Sequence, residues 1–559
     1  MRAWHDSALT WVAITLLSSF SIPSWSQTPP LKLISASPAN NATDVSRTVT
    51  PMLNFSTTLN RASVSPSRVT MNAPSGVQPI NLSVTDSQLT LLPRNKLLPI
   101  TKYALNVSGV RGINGEALAA PVNTAFITRD GAWQTASLIT HPPSVLGTAS
   151  LAENATGAAF IAWLQFSPTR EHVIPWSSRY LPGLGWSKPV MIQLDETIDA
   201  QSVVVAVDHS GNALAIWSQY AASRWSLRAS RYTRGVGWGA AQVISNDSGL
   251  AVTDQQIAFD ADDNAIVVWA QPNSFTGKSN IYAVRYNIAS GWGVAETIDG
   301  NVQNMNAYSP AVRFDAQGNA MSIWQCNPDN VTYQLCTNRY VAGTGWGEVA
   351  IIATASYNVN SDAIYEARLA VSSSGVAFAV WTQSPGIYAS RYTSAGGWES
   401  PTLVDDTYVY DLKLATSAAG DAILTFVWRV ETPQPHFPSA GHYVVGASHY
   451  SAATGWEPVR GLQANDAYDA QMPEAVMDAS GNGMVAWSGY NGFFYRIYTT
   501  RYRADTGWTD VRKVIDTTNT NYSSNPALAI DQSGDVLAVW QQAAGANDPL
   551  PGFWENRFQ

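Results

Sequence analysis

Asp208-His209-Ser210-Gly211-Asn212-Ala213-Leu214-Ala215-Ile216-Trp217 decides the fold, because the chain writes this phrase eight times. The Trp follows the Gly by six residues from Gly157 to Trp163, Gly211 to Trp217, Gly318 to Trp324, Gly375 to Trp381, Gly481 to Trp487 and Gly534 to Trp540. Asp263 replaces the Gly before Trp269, and Gly420 leads to Phe426. An Arg-Tyr pair and then Gly-Trp follow most copies. A period of about 53 residues marks a repeat architecture.

Within the second copy, residues 202–207 form an apolar run of strand length. Asp208 to Gly211 is a turn, with an Asp able to accept backbone amides and a Gly free to take positive φ. Residues 212–219 alternate, with Ala213, Ala215 and Trp217 on one face. Residues 226–232 make a third strand, ending in Arg231-Tyr232, and 239–244 a fourth after a second turn. Four strands with short loops form an antiparallel meander, and its repetition predicts one β-propeller blade per copy.

The Gly-Trp element recurs at Trp186, Trp238, Trp292, Trp346, Trp398, Trp456 and Trp508, but the eighth, Trp133, precedes the first full copy. The last copy runs to Arg557-Phe558 without a Gly-Trp of its own. We therefore expect residues 133–140 to pair with 553–558 and close the ring, removing the edges an open array would expose. The expectation is an eight-bladed propeller over 129–559. A seven-bladed ring with one aberrant unit is the alternative.

Residues 32–128 lack the repeat. Strand-like runs at 50–55, 68–71, 88–92, 103–108 and 124–128 are separated by Pro, Asn and Gly turns, which suits a β-sandwich. The pieces Ser37-Pro38-Ala39-Asn40-Asn41-Ala42-Thr43-Asp44-Val45, Leu53-Asn54-Phe55-Ser56 and Leu89-Thr90-Leu91-Leu92-Pro93 form the first half of a series. Lys102-Tyr103-Ala104-Leu105-Asn106-Val107, Gly109-Val110-Arg111, Gly115-Glu116-Ala117-Leu118 and Thr124-Ala125-Phe126 complete it. Together they resemble the bacterial Ig-like domains of secreted and surface proteins. The resemblance implies an extracytoplasmic spacer or adhesion module and brings no catalytic residues with it.

The first 26 residues read as a secretory signal: Arg2, an apolar run over 8–20, and Ser24-Trp25-Ser26 ahead of Gln27. Residues 27–31 are a linker. Cys326 and Cys336 flank a hairpin loop of the fourth copy, and in an exported protein they are expected to form a local disulfide. The net charge is −9 and there is no basic run, which disfavours nucleic acid and anionic membranes as partners. No stretch after the signal suits membrane insertion, and a monomer is expected.

The apparent catalytic signals recur too regularly to be a site. The Asp-x-x-Gly turn is similar to the Asp-box turn of sialidases, yet Ser372 and Ser417 replace its Asp in two copies. The recurring Arg of Arg-Tyr is read as stacking on a neighbouring ring or bonding carbonyls rather than as an anion ligand. Asp260 to Asn264 is the only calcium-loop candidate and is read as a hairpin turn. His436, His442 and His449 lie close together in the enlarged sixth unit and are read as polar loop residues. No catalytic motif, cofactor or metal is expected.

Subtracting what recurs leaves the loops. In a four-strand meander the first and third loops share one face and are near-constant here. The second and fourth share the other face and vary in length, so ligand binding is expected there. At its edge lie Gln165, Gln219, Gln271, Gln383 and Gln542, each two residues after the blade Trp. Nearby rings are Phe166, Tyr220, Trp225, Phe275, Tyr490 and Phe494. Amides and aromatics suit sugar hydroxyls and ring faces, while the Gln side chains could equally cap strand ends. The blades are also similar to fucose-binding propeller lectins, without a motif that carries a site over. The expected function is an exported binding or adhesion protein for a glycan or protein ligand. A glycan-active enzyme or a structural envelope component are the alternatives. Paired carboxylates or three Arg in the central channel would favour the enzyme, and a lining of small apolar and amide groups would favour binding.

Overall fold

The computed structural model describes residues 29–193, 198–221, 223–246, 250–273, 277–300, 305–329, 331–356, 363–430, 441–463, 468–517, 522–545 and 548–559. The expected signal peptide, most of the 432–442 loop with His436, and Phe275 lie outside the described residues.

The first part of the chain is a two-sheet β-sandwich. One sheet has the order Leu33–Ser37, Met52–Phe55, Gln88–Pro93, Ile80–Thr85. The other has the order Ala42–Val45, Val122–Thr128, Lys102–Val107, Val69–Ala73, Gly76–Val77. Alternate residues of the facing strands (Leu53, Phe55, Met71, Leu89, Leu91, Tyr103, Leu105 and Phe126) fill the core between them.

Eight four-stranded sheets follow, in the order in which their phrases occur. Blade 2 shows the plan: Ala200–Val207, Ala213–Ala221 and Arg224–Thr233 pair in sequence, and an outer strand in two pieces, Gly237–Trp238 and Gln242–Val243, completes it. The recurring Trp sits on the second strand and is fully buried in seven blades, with Phe426 in its place in blade 6. Neighbouring blades share one apolar core after another around the ring. Phe160 and Ala162 of blade 1 pack with Trp217 of blade 2. At the far end, Leu537, Val539 and Phe553 of blade 8 pack with Ala159, Ile161 and Trp163 of blade 1.

The out-of-order Trp supplies the closure. Ser137–Thr140 pairs with the last strand, with Ser137 opposite Glu555 and Leu138 opposite Trp554. Trp133 bridges Phe558, as Trp238 bridges Tyr232 within blade 2.

The Arg-Tyr pairs form a second ring outside the core. Each guanidinium lies over the aromatic ring of the next blade, Arg179 on Tyr232, Arg231 on Tyr286 and Arg285 on Tyr340. Arg339 on Tyr392, Arg391 on Tyr450 and Arg501 on Phe558 continue it, and Arg557 on Tyr180 returns from blade 8 to blade 1. In blade 6, His449 takes the Arg position and stacks on Tyr502. The Asp turns hold this ring: Asp208 accepts from its own Asn212 and pairs with Arg231 at 2.9 Å. Asp260 does the same with Asn264 and Arg285, so its oxygens serve the turn.

The sandwich meets the propeller on the face of the Asp turns. Blade 8 carries Asp535 where four other blades have Asn212, Asn264, Asn319 or Asn482. That carboxylate receives Arg47 at 2.7 Å and Lys96 at 2.9 Å. Arg47 is 4% exposed. Removing the partner of a buried charge costs about 3 kcal/mol or more. Asp535→Asn is therefore expected to uncouple the two parts, and calorimetry should show the sandwich transition separating from the propeller transition and falling. A single unchanged transition would show the contact to be energetically silent.

Candidate functional site

Among the described residues, nine aromatic side chains of the propeller are exposed, from 38% to 84%: Phe166, Tyr220, Tyr308, Tyr365, Tyr408, Tyr443, Tyr468, Phe493 and Tyr522. All nine sit at the ends of inner, second or third strands, or in loops, on the face of the second and fourth loops. None lies on the face of the Asp turns. Tyr408 and Phe493 are the most open, at 84% and 76%.

The rings gather in two places. Between blades 7 and 8, Tyr490 contacts Tyr468 and Tyr495, and Tyr522 contacts Phe494 and Tyr495. Between blades 5 and 6, Tyr365, Tyr408 and Tyr410 line a cleft of about 800 Å³ with Glu366, Gln383 and Asp406. A cleft of that volume is within the range of small-molecule sites. Glu366 is not a free acid there, since it accepts the backbone amide of Leu412 at 3.1 Å. Burial, with Tyr443 and the surrounding carboxylates, pushes the Tyr410 hydroxyl up, so it keeps its proton and can donate a hydrogen bond.

The five Gln side chains sit mostly below this face. Each carbonyl oxygen accepts the indole N–H of the Trp two residues earlier, at 3.1 Å for Gln165, 3.3 Å for Gln219, 3.1 Å for Gln271, 3.1 Å for Gln383 and 2.9 Å for Gln542. Gln165, Gln219, Gln271 and Gln542 are buried, and Gln383, half-buried, lines the cleft. In blade 4, Cys326 stands in the Gln position and is bonded to Cys336, with 6.2 Å between Cα atoms. The Trp324 indole N–H is correspondingly buried without a partner among the described residues. Tyr220 and Trp225 form a separate pair on blade 2, at 5.2 Å. The structure thus brings Tyr490 and Phe494 into one cluster and leaves the blade 2 pair apart from it.

Sequence reasoning missed the inner strands. Each carries a β-bulge with a left-handed residue: Gly147, Ser202, Asp254, Ser309, Glu366, Asp411, Met472 and Asn525. Below the bulges, the inner strands of blades 3 to 7 enclose a channel cavity of about 530 Å³. Arg313, Arg368, Lys413, Asp254 and Glu474 are its charged lining. Lys413 and Glu474 pair at 2.6 Å. The lining is therefore neither a three-Arg set nor a purely apolar and amide surface. Comparing strand positions blade by blade would have found Arg313 as a departure from the repeat. A further cavity of about 830 Å³ lies at the outer seam of the closing strand, where Asp130 already engages Arg501 and Arg503 at 3.1 and 3.0 Å.

Comparison with known proteins identifies the first part of the chain. Residues 26–128 match the bacterial Ig-like domain family. This match and the disulfide fit an extracellular or surface protein. No curated protein matches the chain. Among solved structures the chain is similar to the β-propeller domain of the Trilobed protease from Pyrococcus furiosus, at 8% identity over 64% of this chain and 92% of that one, TM-score 0.36. It is also similar to the GH93 alpha-L-arabinofuranosidase of Fusarium graminearum, at 13% identity over 55% and 92%, TM-score 0.36. A third is polysaccharide lyase Uly1, at 9% identity over 62% and 88%, TM-score 0.38. Likenesses this distant carry no argument about activity. No helix among the described residues is long and apolar enough to cross a membrane.

Proposed function

We propose that this protein is an exported glycan-binding module that presents its ligand site on the variable face of the propeller. The observation that carries the reading is the one-sided distribution of the nine exposed rings. Isolated exposed aromatics are ordinary, but among the described residues nine on one face and none on the other make a surface suited to stacking. Sugar rings offer apolar C–H faces to such rings and hydroxyls to adjacent amides and carboxylates. The cleft between blades 5 and 6 is the principal subsite, with Gln383 as its amide and Tyr365 and Tyr408 as its platforms. Tyr220, Trp225, Tyr490 and Phe494 are further contacts for an extended chain. Glu366 is held in place by a backbone amide, and Tyr410 keeps its proton and serves as a hydrogen-bond donor to the ligand.

A glycan array on the full chain, run beside a hydrolysis assay, tests this. Tyr365→Ala and Tyr408→Ala are each expected to weaken binding about three- to ten-fold, the scale of one stacked ring, without moving the thermal midpoint. Unaltered binding in the double variant would place the site elsewhere. Release of new reducing ends would make the protein an enzyme.

A further inference from the structure

The channel chemistry departs from the repeat at one layer. The inner-strand residues two positions below the bulge register are Ala152, Ala206, Ala258, Arg313, Ala370, Ala415, Val476 and Ala529, each opposite the first residues of its blade's second strand. Seven are Ala or Val and one is Arg. In the layer above, Ala311 and Ala527 correspond to Arg368. The fold does not require a guanidinium here, since six blades build the same layer from Ala.

The carboxylates around the two Arg are already occupied. Asp254 accepts the amide of Ser309 at 3.2 Å, Glu366 accepts that of Leu412 at 3.1 Å, and Glu474 holds Lys413. The two guanidinium groups bond backbone carbonyls. Arg313 donates to Val312 at 2.7 Å, and Arg368 donates to Leu412 at 2.8 Å and Ala367 at 3.1 Å. Among the described residues neither has a carboxylate partner within ion-pair distance. Arg313 is open to the channel yet ringed by protein, and that desolvation lowers its pKa, although a guanidinium stays charged at any physiological pH. Two planar, forked guanidinium groups that no carboxylate contacts directly present donors to a planar or tetrahedral anion.

The aromatic cleft adjoins this cavity. Tyr365 and Glu366 line the cleft while Ala367 and Arg368, next on the same strand, line the channel. Tyr410 and Lys413 repeat the arrangement on blade 6. We propose that Arg313 and Arg368 form an anion subsite that receives the carboxylate or sulfate of an acidic glycan whose neighbouring rings lie on the aromatic cleft. The glycan part rests on the function proposed above, and the anion part stands on the arginines alone.

The test is a titration of the full chain at low ionic strength with galacturonate, galactose 6-sulfate and galactose, followed by NMR. The same series is then run with oligogalacturonate and its carboxyl-reduced form. At least one acidic monosaccharide should bind ten-fold or more tighter than galactose, and the preferred one identifies carboxylate or sulfate. Affinity should fall as salt is raised. The Arg313→Ala/Arg368→Ala variant should lose at least ten-fold for acidic probes. It should fold normally, because Ala is the residue other blades use in both layers. Equal binding of acidic and neutral sugars, no binding of any acidic probe, or full acidic binding by the double variant would each overturn the proposal. Arginine-dependent monosaccharide binding combined with no effect of Tyr365→Ala/Tyr408→Ala on the oligosaccharides would sustain the anion subsite and overturn the cleft. Cleft-dependent binding of the carboxyl-reduced oligosaccharide without any arginine effect would do the reverse.

Discussion

A chain beginning at residue 142 should fail to form a closed, monomeric propeller, whereas one beginning at residue 129 should form it. The difference is the segment holding Trp133 and Ser137–Thr140, which completes blade 8. Without it the 548–558 strand is an unpaired edge, a template for pairing with another molecule. The loss comprises a handful of ladder hydrogen bonds at about 1 kcal/mol each. It also removes Trp133, Ala136 and Ile139, which pack against the cores on either side of blade 8, and so exposes those cores. Burial of one such large side chain contributes about 1.5–3 kcal/mol. The sum is on the order of 5–10 kcal/mol, comparable to the whole stability of a typical domain. Thermal unfolding and size-exclusion chromatography check this, and a peptide of residues 129–141 added in trans should restore the monomer. A stable 142–559 monomer with an unchanged midpoint would show that the ring does not depend on its closing strand.

The second large effect is a pH dependence centred on Glu153. This residue ends the inner strand of blade 1, beneath the Arg ring, with its side chain 2% exposed. Burial pushes its carboxyl from the ordinary 4.5 up to about 8, against the pull of Arg557 at 3.4 Å, and the carboxylates of Asp531 and Asp535 add to the rise. One of its oxygens has no partner among the described residues. Because the folded pKa is raised, the unfolded chain releases this proton first as pH increases. Its stabilising contribution is fully present below about pH 4.5 and is lost progressively as pH rises through about 8. A rise of that size corresponds to an upper bound on the order of 3–5 kcal/mol. Glu153→Gln should therefore leave the unfolding midpoint nearly unchanged at pH 5 and raise it clearly at pH 9. A midpoint that drops at both values would show instead that the ion pair with Arg557 dominates.

Parts of the candidate site were legible in the sequence to different depths. The variable face followed from comparing loop lengths, because a meander fixes which loops share a side. Tyr490 and Phe494 on blade 7 were legible as aromatics next to a hairpin loop. Tyr365, Tyr408 and Tyr410 were not, because they follow two different fourth loops, one entering blade 5 and one entering blade 6, and no local pattern shows that they converge. The five Gln residues were visible as a series, but their bonds to the Trp indoles depend on side-chain directions that spacing does not reveal. The regular Arg and Asp residues read correctly as scaffold because a functional site seldom repeats on every blade.

The blade and the closure of the ring through Trp133 were legible because they depend on periodicity, the Cys326–Cys336 disulfide because it joins neighbours within one hairpin, and the Ig-like sandwich because its pieces resemble a known family. The contents of the channel and cleft follow from how the blades come together in three dimensions. Arg313 and Arg368 lie on different blades, and they line one cavity because the ring turns every inner strand toward the same axis. Bulges with left-handed residues at Ser309 and Glu366 shift the register just ahead of them. A one-residue shift moves side chains between faces of a strand, so which residues reach the channel is set by backbone geometry that hydrophobic alternation does not encode.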